Sequence, residues 1–124
     1  MRTNISSGGP FEDTYGYSRA VRVGDALWVS GTCARDGALT GDAYVQTADA
    51  IAIIGAALEQ AGASLADVVR TVAYVTDIGD LPLVARAHAE AFGGVRPAAT
   101  IVEVAKLADP RYLVELQADA YIAS

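Results

Sequence analysis

The stretch LVELQADAYIA, residues 113–123, decides how the rest of the chain must be arranged. In an extended chain Leu116, Ala118, Ala120 and Ile122 point one way and Glu115, Gln117, Asp119 and Tyr121 the other, because successive side chains of a strand alternate between faces. The first set is wholly apolar and must pack against helices. The second is mixed and belongs to a different environment.

Working outward, ATIVEVAK (99–106) reads as another strand, set off by the turn-forming Ala108-Asp109-Pro110. DLPLVARAHAEAF (80–92) is helix-like, with Asp80 as N-cap, Pro82 in the first turn and Gly93-Gly94 at its end. VVRTVAYVTD (68–77) alternates around β-branched residues. From Asp42 to Ala61 the chain reads as a long amphipathic helix, with Ile51, Ile54 and Leu58 on one face and Gly62 as its stop. YSRAVRV and ALWVSGTCA, joined by Gly24-Asp25, form a hairpin. The predicted order is β-β-α-β-α-β-β in a single domain spanning 1–124, with residues 1–14 a partly mobile leader. The predicted class is α+β: a mixed sheet with both helices on one face. Parity puts Val72, Tyr74 and Ile101 on the other face, which then needs a neighbouring chain.

At 124 residues the chain has room for one core. It is 52% apolar and 19% charged, the balance of a folded protein, and a mean hydropathy of +0.29 points to apolar surface buried between subunits. The net charge of −6 would repel a phosphate backbone, so nucleic acid is not an expected partner. One cysteine, Cys33, and one histidine, His88, leave no internal disulfide and no paired-histidine or cysteine-cluster metal motif. Neither a cofactor nor a metal is expected. With no apolar run of signal-peptide or membrane-spanning length, no membrane association is expected and the expected location is the cytoplasm.

Three strings, YSRAVRVGDALWVSG (17–31), AIAIIGAALEQAGASLADVVRTVAYVTDIGDLPLVARAHAEAF (50–92) and RPAATIVEVAKLADPRYLVELQADAYI (96–122), together resemble the Rid (YjgF-like) family over nearly the whole chain. The strand-end Ser30-Gly31, the AGASLADVVRTVAYVTD join and the RPAATIVEVA strand carry the resemblance by their order and spacing. It implies a chorismate-mutase-like fold, a homotrimer whose three sheets form a central barrel, and small-molecule clefts between subunits. In deaminating members such clefts hydrolyse imines or enamines derived from amino acids, and an arginine clamps the substrate carboxylate. That arginine falls on Ala99, within Pro97-Ala98-Ala99-Thr100. The family's water-positioning acid is expected at Gln117, an asparagine of the second helix at Ala85, and a strand cysteine at Ile101. Tyr17, Ser30 and Gly31 remain from the usual set.

Each of these residues has a functional and a plainer role to weigh. Gln117 does not titrate near neutral pH but can orient a water or donate to a carbonyl; otherwise it is a sheet-surface amide. Ala99 stands where a clamp would contribute about 2–5 kcal/mol, and Arg96, of opposite parity and before Pro97, is read as a surface residue. Tyr17 can cap a cleft or pack at a subunit edge, and Ser30-Gly31 can present a hydroxyl and amides or form an ordinary turn. His88 reads as a half-buried packing residue, Cys33 as a small buried hydrophobe, Trp28 as core or interface. Glu103 and Glu115, placed on adjacent strands by this reading, are solvated or barrel-lining.

Catalytic Gln117, Tyr17 and Ser30 are expected to meet around one cleft, with Tyr17 and Ser30 from a different subunit than Gln117. Gly31, Ala85, Ala99, Thr100 and Ile101 are expected to line it for substrate, with Ala99 and Ile101 beside Gln117 on the neighbouring strand. The function expected is hydrolysis, dehydration or tautomerisation of a small carbonyl, imine or enamine compound, without efficient 2-iminoacid deamination. The alternative is a non-catalytic ligand-binding or protein-partner trimer of the same fold, since fold alone does not choose.

Overall fold

The computed structural model describes residues 1–123. One six-stranded sheet carries two long helices on one face. In chain order the elements are β1 (Arg2–Ile5), α1 (Pro10–Tyr15), β2 (Ala20–Val23), β3 (Ala26–Thr32), α2 (Ala43–Gln60), β4 (Val68–Val75), α3 (Leu81–Phe92), β5 (Ala98–Glu103) and β6 (Val114–Tyr121). The strands lie in the order β1-β2-β3-β6-β4-β5, all neighbours antiparallel except the β4–β5 pair.

The alternation of β6 is realised as read. Val114, Leu116, Ala118 and Ala120 are buried beneath the helices, where Leu27 and Val29 of β3 and Ala73 and Val75 of β4 join them with Ile54, Leu58 and Phe92 from above. The ends of α2 follow local chemistry. Asp42 accepts from the Val45 amide at its start, and Gly62, at φ 86°, supplies the left-handed residue after its last turn.

Three expectations need correcting. First, β5 does not neighbour β6. It joins β4 in parallel through the crossover α3 and ends as the sheet edge, so β4 stands between β5 and β6. The ten residues 104–113 are too long for a tight hairpin, and parallel pairing after a helix was the better reading of β4-α3-β5. Glu103 and Glu115 are therefore not on adjacent strands. Second, Ile101 pairs with Ala73 and Ala99 with Thr71, so both face the helices rather than the open side. The parity count placed Val72 and Tyr74 correctly but carried the wrong phase onto β5. Third, the expected leader is structured: β1 pairs with β2, and the Glu12 carboxylate, buried in α1, accepts from the Ser7 amide and hydroxyl at 3.0 and 2.6 Å. These bonds hold the carboxyl down at about 2.

The helix-free face leaves Trp28, Val102 and Tyr121 between 40% and 55% exposed, so Trp28 is not a core residue. Among the described residues no helix is long and apolar enough to cross a membrane.

Candidate functional site

Two pockets flank the sheet. The first is a cavity of about 220 Å3 under α3, where β4 and β5 diverge from the helix. Its walls are Ala73, Ala85, Ala99, Ile101 and neighbouring aliphatic residues, and its polar groups are few: Thr71, His88 and Thr100. Thr71 Oγ1 lies 2.8 Å from His88 Nε2, and the imidazole packs at 4.7 Å against the Phe92 ring. Burial pushes the His88 pKa down, so the ring is neutral at pH 7 and one ring nitrogen can accept. Four of the expected substrate-binding residues, Ala85, Ala99, Thr100 and Ile101, meet here. His88 is the half-buried packing residue expected, and its place three residues after Ala85 puts both on one helical face toward the cavity.

The second pocket is a groove of about 1060 Å3 on the far side, between the open end of β3 and the flank of α2. Tyr17, Ser30 and Gly31 line it together, with Arg19, Cys33 and Glu115. A bulge produces this arrangement. Val29 pairs with Ala118 and Thr32 with Leu116, so Ser30 and Gly31 both stand opposite Gln117 and the strand bends outward. Ser30 Oγ donates to the Ser18 carbonyl at 2.6 Å, which pins the bulge to the chain entering β2. Opposite Gly31 the Glu115 carboxylate takes the space that a Cβ at that position would occupy. Glycine lets the carboxylate approach this closely, and a side chain there would require Glu115 to move.

The thiol of Cys33 donates to Glu115 Oε1 at 3.4 Å. Burial, and then the Glu115 charge and this hydrogen bond, push the Cys33 pKa up to about 12, so the sulfur is a neutral thiol. Cys33 is half-buried in the groove wall and not a core hydrophobe. Arg19, missed in the sequence reading, is 9% exposed and donates to the Gly31 carbonyl, Thr32 Oγ1 and the Tyr17 hydroxyl at 2.8, 2.9 and 2.8 Å. The signal was its place two residues after Tyr17, in the bend before β2.

Gln117 lines neither pocket. Its Oε1 accepts from the Tyr74 hydroxyl at 2.9 Å on the helix-free face, and Ala99 and Ile101 lie across β4 on the opposite face. The carboxylate at the Ser30-Gly31 groove is Glu115, two residues earlier in the same alternation. Glu103 closes a turn, accepting from the Ile78 amide at 2.9 Å. Among the described residues, no cluster of three His, Cys, Asp or Glu side chains is placed to hold a metal.

The family described as Endoribonuclease L-PSP matches residues 11–122. The crystal structure of Rv2704 from Mycobacterium tuberculosis, a member of the YjgF/YER057c/UK114 family, superposes with a TM-score of 0.93 at 51% identity, covering 98% of this chain and 100% of that one. The chain belongs to the Rid (YjgF-like) family. A RutC family protein of Pyrococcus abyssi is 38% identical over 109 residues, covering 85% of each chain. The 3-aminoacrylate deaminase RutC of Acinetobacter baylyi is 32% identical over 110 residues, covering 86% of each. The apolar character of the pocket under α3 comes from Ala73, Ala85, Ala99 and Ile101 in its walls.

Proposed function

We propose that this chain is a Rid protein that transforms a small carbonyl, imine or enamine compound, by hydrolysis, dehydration or tautomerisation, in clefts between the subunits of a homotrimer. The observation that carries this reading is the split of the residues expected from the family between two separate pockets of one sheet, one beside β3 and one beside β5. Tyr17, Ser30 and Gly31 line the groove beside β3, whereas Ala85, Ala99, Thr100 and Ile101 line the cavity beside β5. Neither pocket holds the whole set, and a second copy that brings its β3 groove to the β5 edge completes it. The helix-free face, with Trp28, Val102 and Tyr121 exposed, supplies the apolar surface for a central barrel.

Within that cleft Glu115 takes the role assigned to an acidic residue on the last strand: its carboxylate stands beside Gly31 and can accept a proton from a water attacking the substrate carbon. The Ser30 amide and hydroxyl are themselves engaged, with the Arg19 and Ser18 carbonyls at 2.9 and 2.6 Å, so the bulge shapes the groove wall. Gln117 keeps a structural part through Tyr74. The missing guanidinium at position 99 removes the clamp by which deaminating relatives hold a 2-iminoacid, so such substrates turn over poorly. The relative from Acinetobacter baylyi bears the name of a 3-aminoacrylate deaminase, which favours enamine chemistry over nucleic-acid cleavage. The net charge of −6 points the same way.

Ammonia release from freshly generated imines, measured with the native chain and with Ala99→Arg, tests the reading. Weak release that rises in Ala99→Arg supports it. No release from either chain, with ligand binding retained, would establish the non-catalytic alternative, and a stable monomer in light scattering would remove the shared cleft.

A further inference from the structure

We propose that Arg19 holds the anionic head of the ligand, so that an organic monocarboxylate binds with its charge beside Tyr17 and its apolar end toward Ala85, Ala99 and Ile101. Three observations converge on Arg19. Its side chain is 9% exposed, yet it has no acidic partner: the ion pairs among the described residues join Arg22 to Asp25, Arg35 to Asp49 and Arg111 to Asp109. A buried, uncompensated guanidinium is costly, and an anion arriving from solvent relieves it.

Second, the group is held in place without being saturated. Nη1 donates to the Gly31 carbonyl and to Thr32 Oγ1, and Nη2 to the Tyr17 hydroxyl, while the Tyr17 ring lies 5.3 Å from the guanidinium carbon. Among the described residues, Nε and the second N–H of Nη2 have no hydrogen-bond partner. A fixed planar fork with two N–H groups to spare suits a carboxylate, which accepts both at once.

Third, no other charge in the groove does the same work. Arg35 also lines it but is committed to Asp49, and Glu115 makes no ion pair with Arg19, its carboxylate lying instead against Gly31 and Cys33. Arg19 meets Gly31 at its carbonyl and Glu115 meets it at its Cα side, so the anion site and the carboxylate take different sides of one residue. In the proposed pose Glu115 faces the part of the ligand beyond its charged head. The cavity under α3 has no charged lining residue when His88 is neutral, so it suits the apolar end. The anion site stands on this chain alone, whereas the direction of the apolar end rests on the joined cleft proposed above. Relative to an arginine at position 99, the ligand is turned end for end.

The test uses propionate, its neutral near-isostere propionamide, and hexanoate, titrated calorimetrically into the full-length protein. The native chain is expected to prefer propionate to propionamide by about tenfold or more, and to bind hexanoate more tightly than propionate. Arg19→Gln should abolish the charge preference, and Arg19→Lys, which keeps the charge but not the fork, should retain only part of it. Ala85→Phe should remove the gain from the longer chain and leave the charge preference intact. Equal binding of propionate and propionamide, or a preference that survives Arg19→Gln, overturns the assignment of Arg19. If Arg19→Gln abolishes the preference but Ala85→Phe leaves the chain-length gain, Arg19 stands and the end-for-end orientation falls with the joined cleft. Should Arg19→Gln not fold, the Nε–H resonance of Arg19 in the native chain decides: it must move with propionate and not with propionamide.

Discussion

The cavity under α3 and the groove beside β3 are built from the same sheet, yet their chemistry has gone in opposite directions. Around the cavity the walls are Ala85, Ala99, Ile101 and other aliphatic residues, and the polar groups are Thr71, Thr100 and a neutral His88. Around the groove, Tyr17, Ser30 and Gly31 stand with a buried arginine and a carboxylate. In the cleft proposed above, charge that is absent beside β5 is present beside β3. What the comparison teaches is that the polarity of such a cleft has to be read from both pockets together.

The sharpest way to break this contrast is to remove the groove's carboxylate. Glu115→Gln should lower turnover of an imine or enamine substrate by about 100- to 10,000-fold, the usual reach of a positioned acid–base group, whereas His88→Phe in the cavity should cost far less. Steady-state rates of the two variants check the ranking; equal losses would erase the distinction between the pockets.

Next in size is the thiol. With its pKa near 12, Cys33 should react with iodoacetamide at pH 8 about a thousandfold more slowly than an ordinary cysteine, because only the thiolate attacks. Glu115→Gln, which removes a neighbouring negative charge, should speed that alkylation. Mass spectrometry of timed samples measures both, and fast modification of the native chain would show that the groove wall is not as buried as described. Smaller again is the effect of Gln117→Ala, which strips the Tyr74 hydroxyl of its acceptor outside both pockets. A loss of about 1 kcal/mol in chemical denaturation, with ligand affinity unchanged, is expected. Weakened ligand binding instead would return Gln117 to the site.

The mildest expected change is with pH. The Glu12 carboxyl is held at about 2, below its ordinary 4.5, so the stability it gives the N-terminal segment is complete above pH 4.5 and is lost as pH falls toward 2. Exchange of the Ser7 and Gly9 amides, both of which donate to Glu12 Oε2, should accelerate relative to core amides over that window. Unchanged relative protection across it would contradict the assignment.

Much of this was legible in the sequence because β6 alternates cleanly and α2 has both a capping Asp42 and a terminating Gly62. Tyr17, Ser30 and Gly31 were legible as a group only through the resemblance to the Rid family; the hairpin that brings the chain before β2 back against the end of β3 is the physical reason they meet. What escaped depends on long-range pairing. Whether β5 lies beside β6 or beyond β4 is set by the crossover through α3, and no local pattern in ATIVEVAK reveals it. Glu115 and Gln117 share a face and differ only in how far along β6 they sit, so the bulge at Ser30-Gly31, invisible in a list of residues, decides which of them reaches the groove. Arg19 looked like any other strand-edge arginine until the bend before β2 buried it.

The edge strand β1 has a practical consequence. Its four residues cover the backbone of β2 from Ala20 to Val23, and the Ile5 carbonyl accepts from the Arg19 amide at 2.8 Å, next to the groove. A tag or protease cut that displaces residues 1–5 would bare a row of unpaired peptide groups, the surface on which unrelated chains add strand to strand. Purification should therefore place affinity handles at the other terminus, and samples that turn cloudy after N-terminal cleavage will have lost this cover rather than their core.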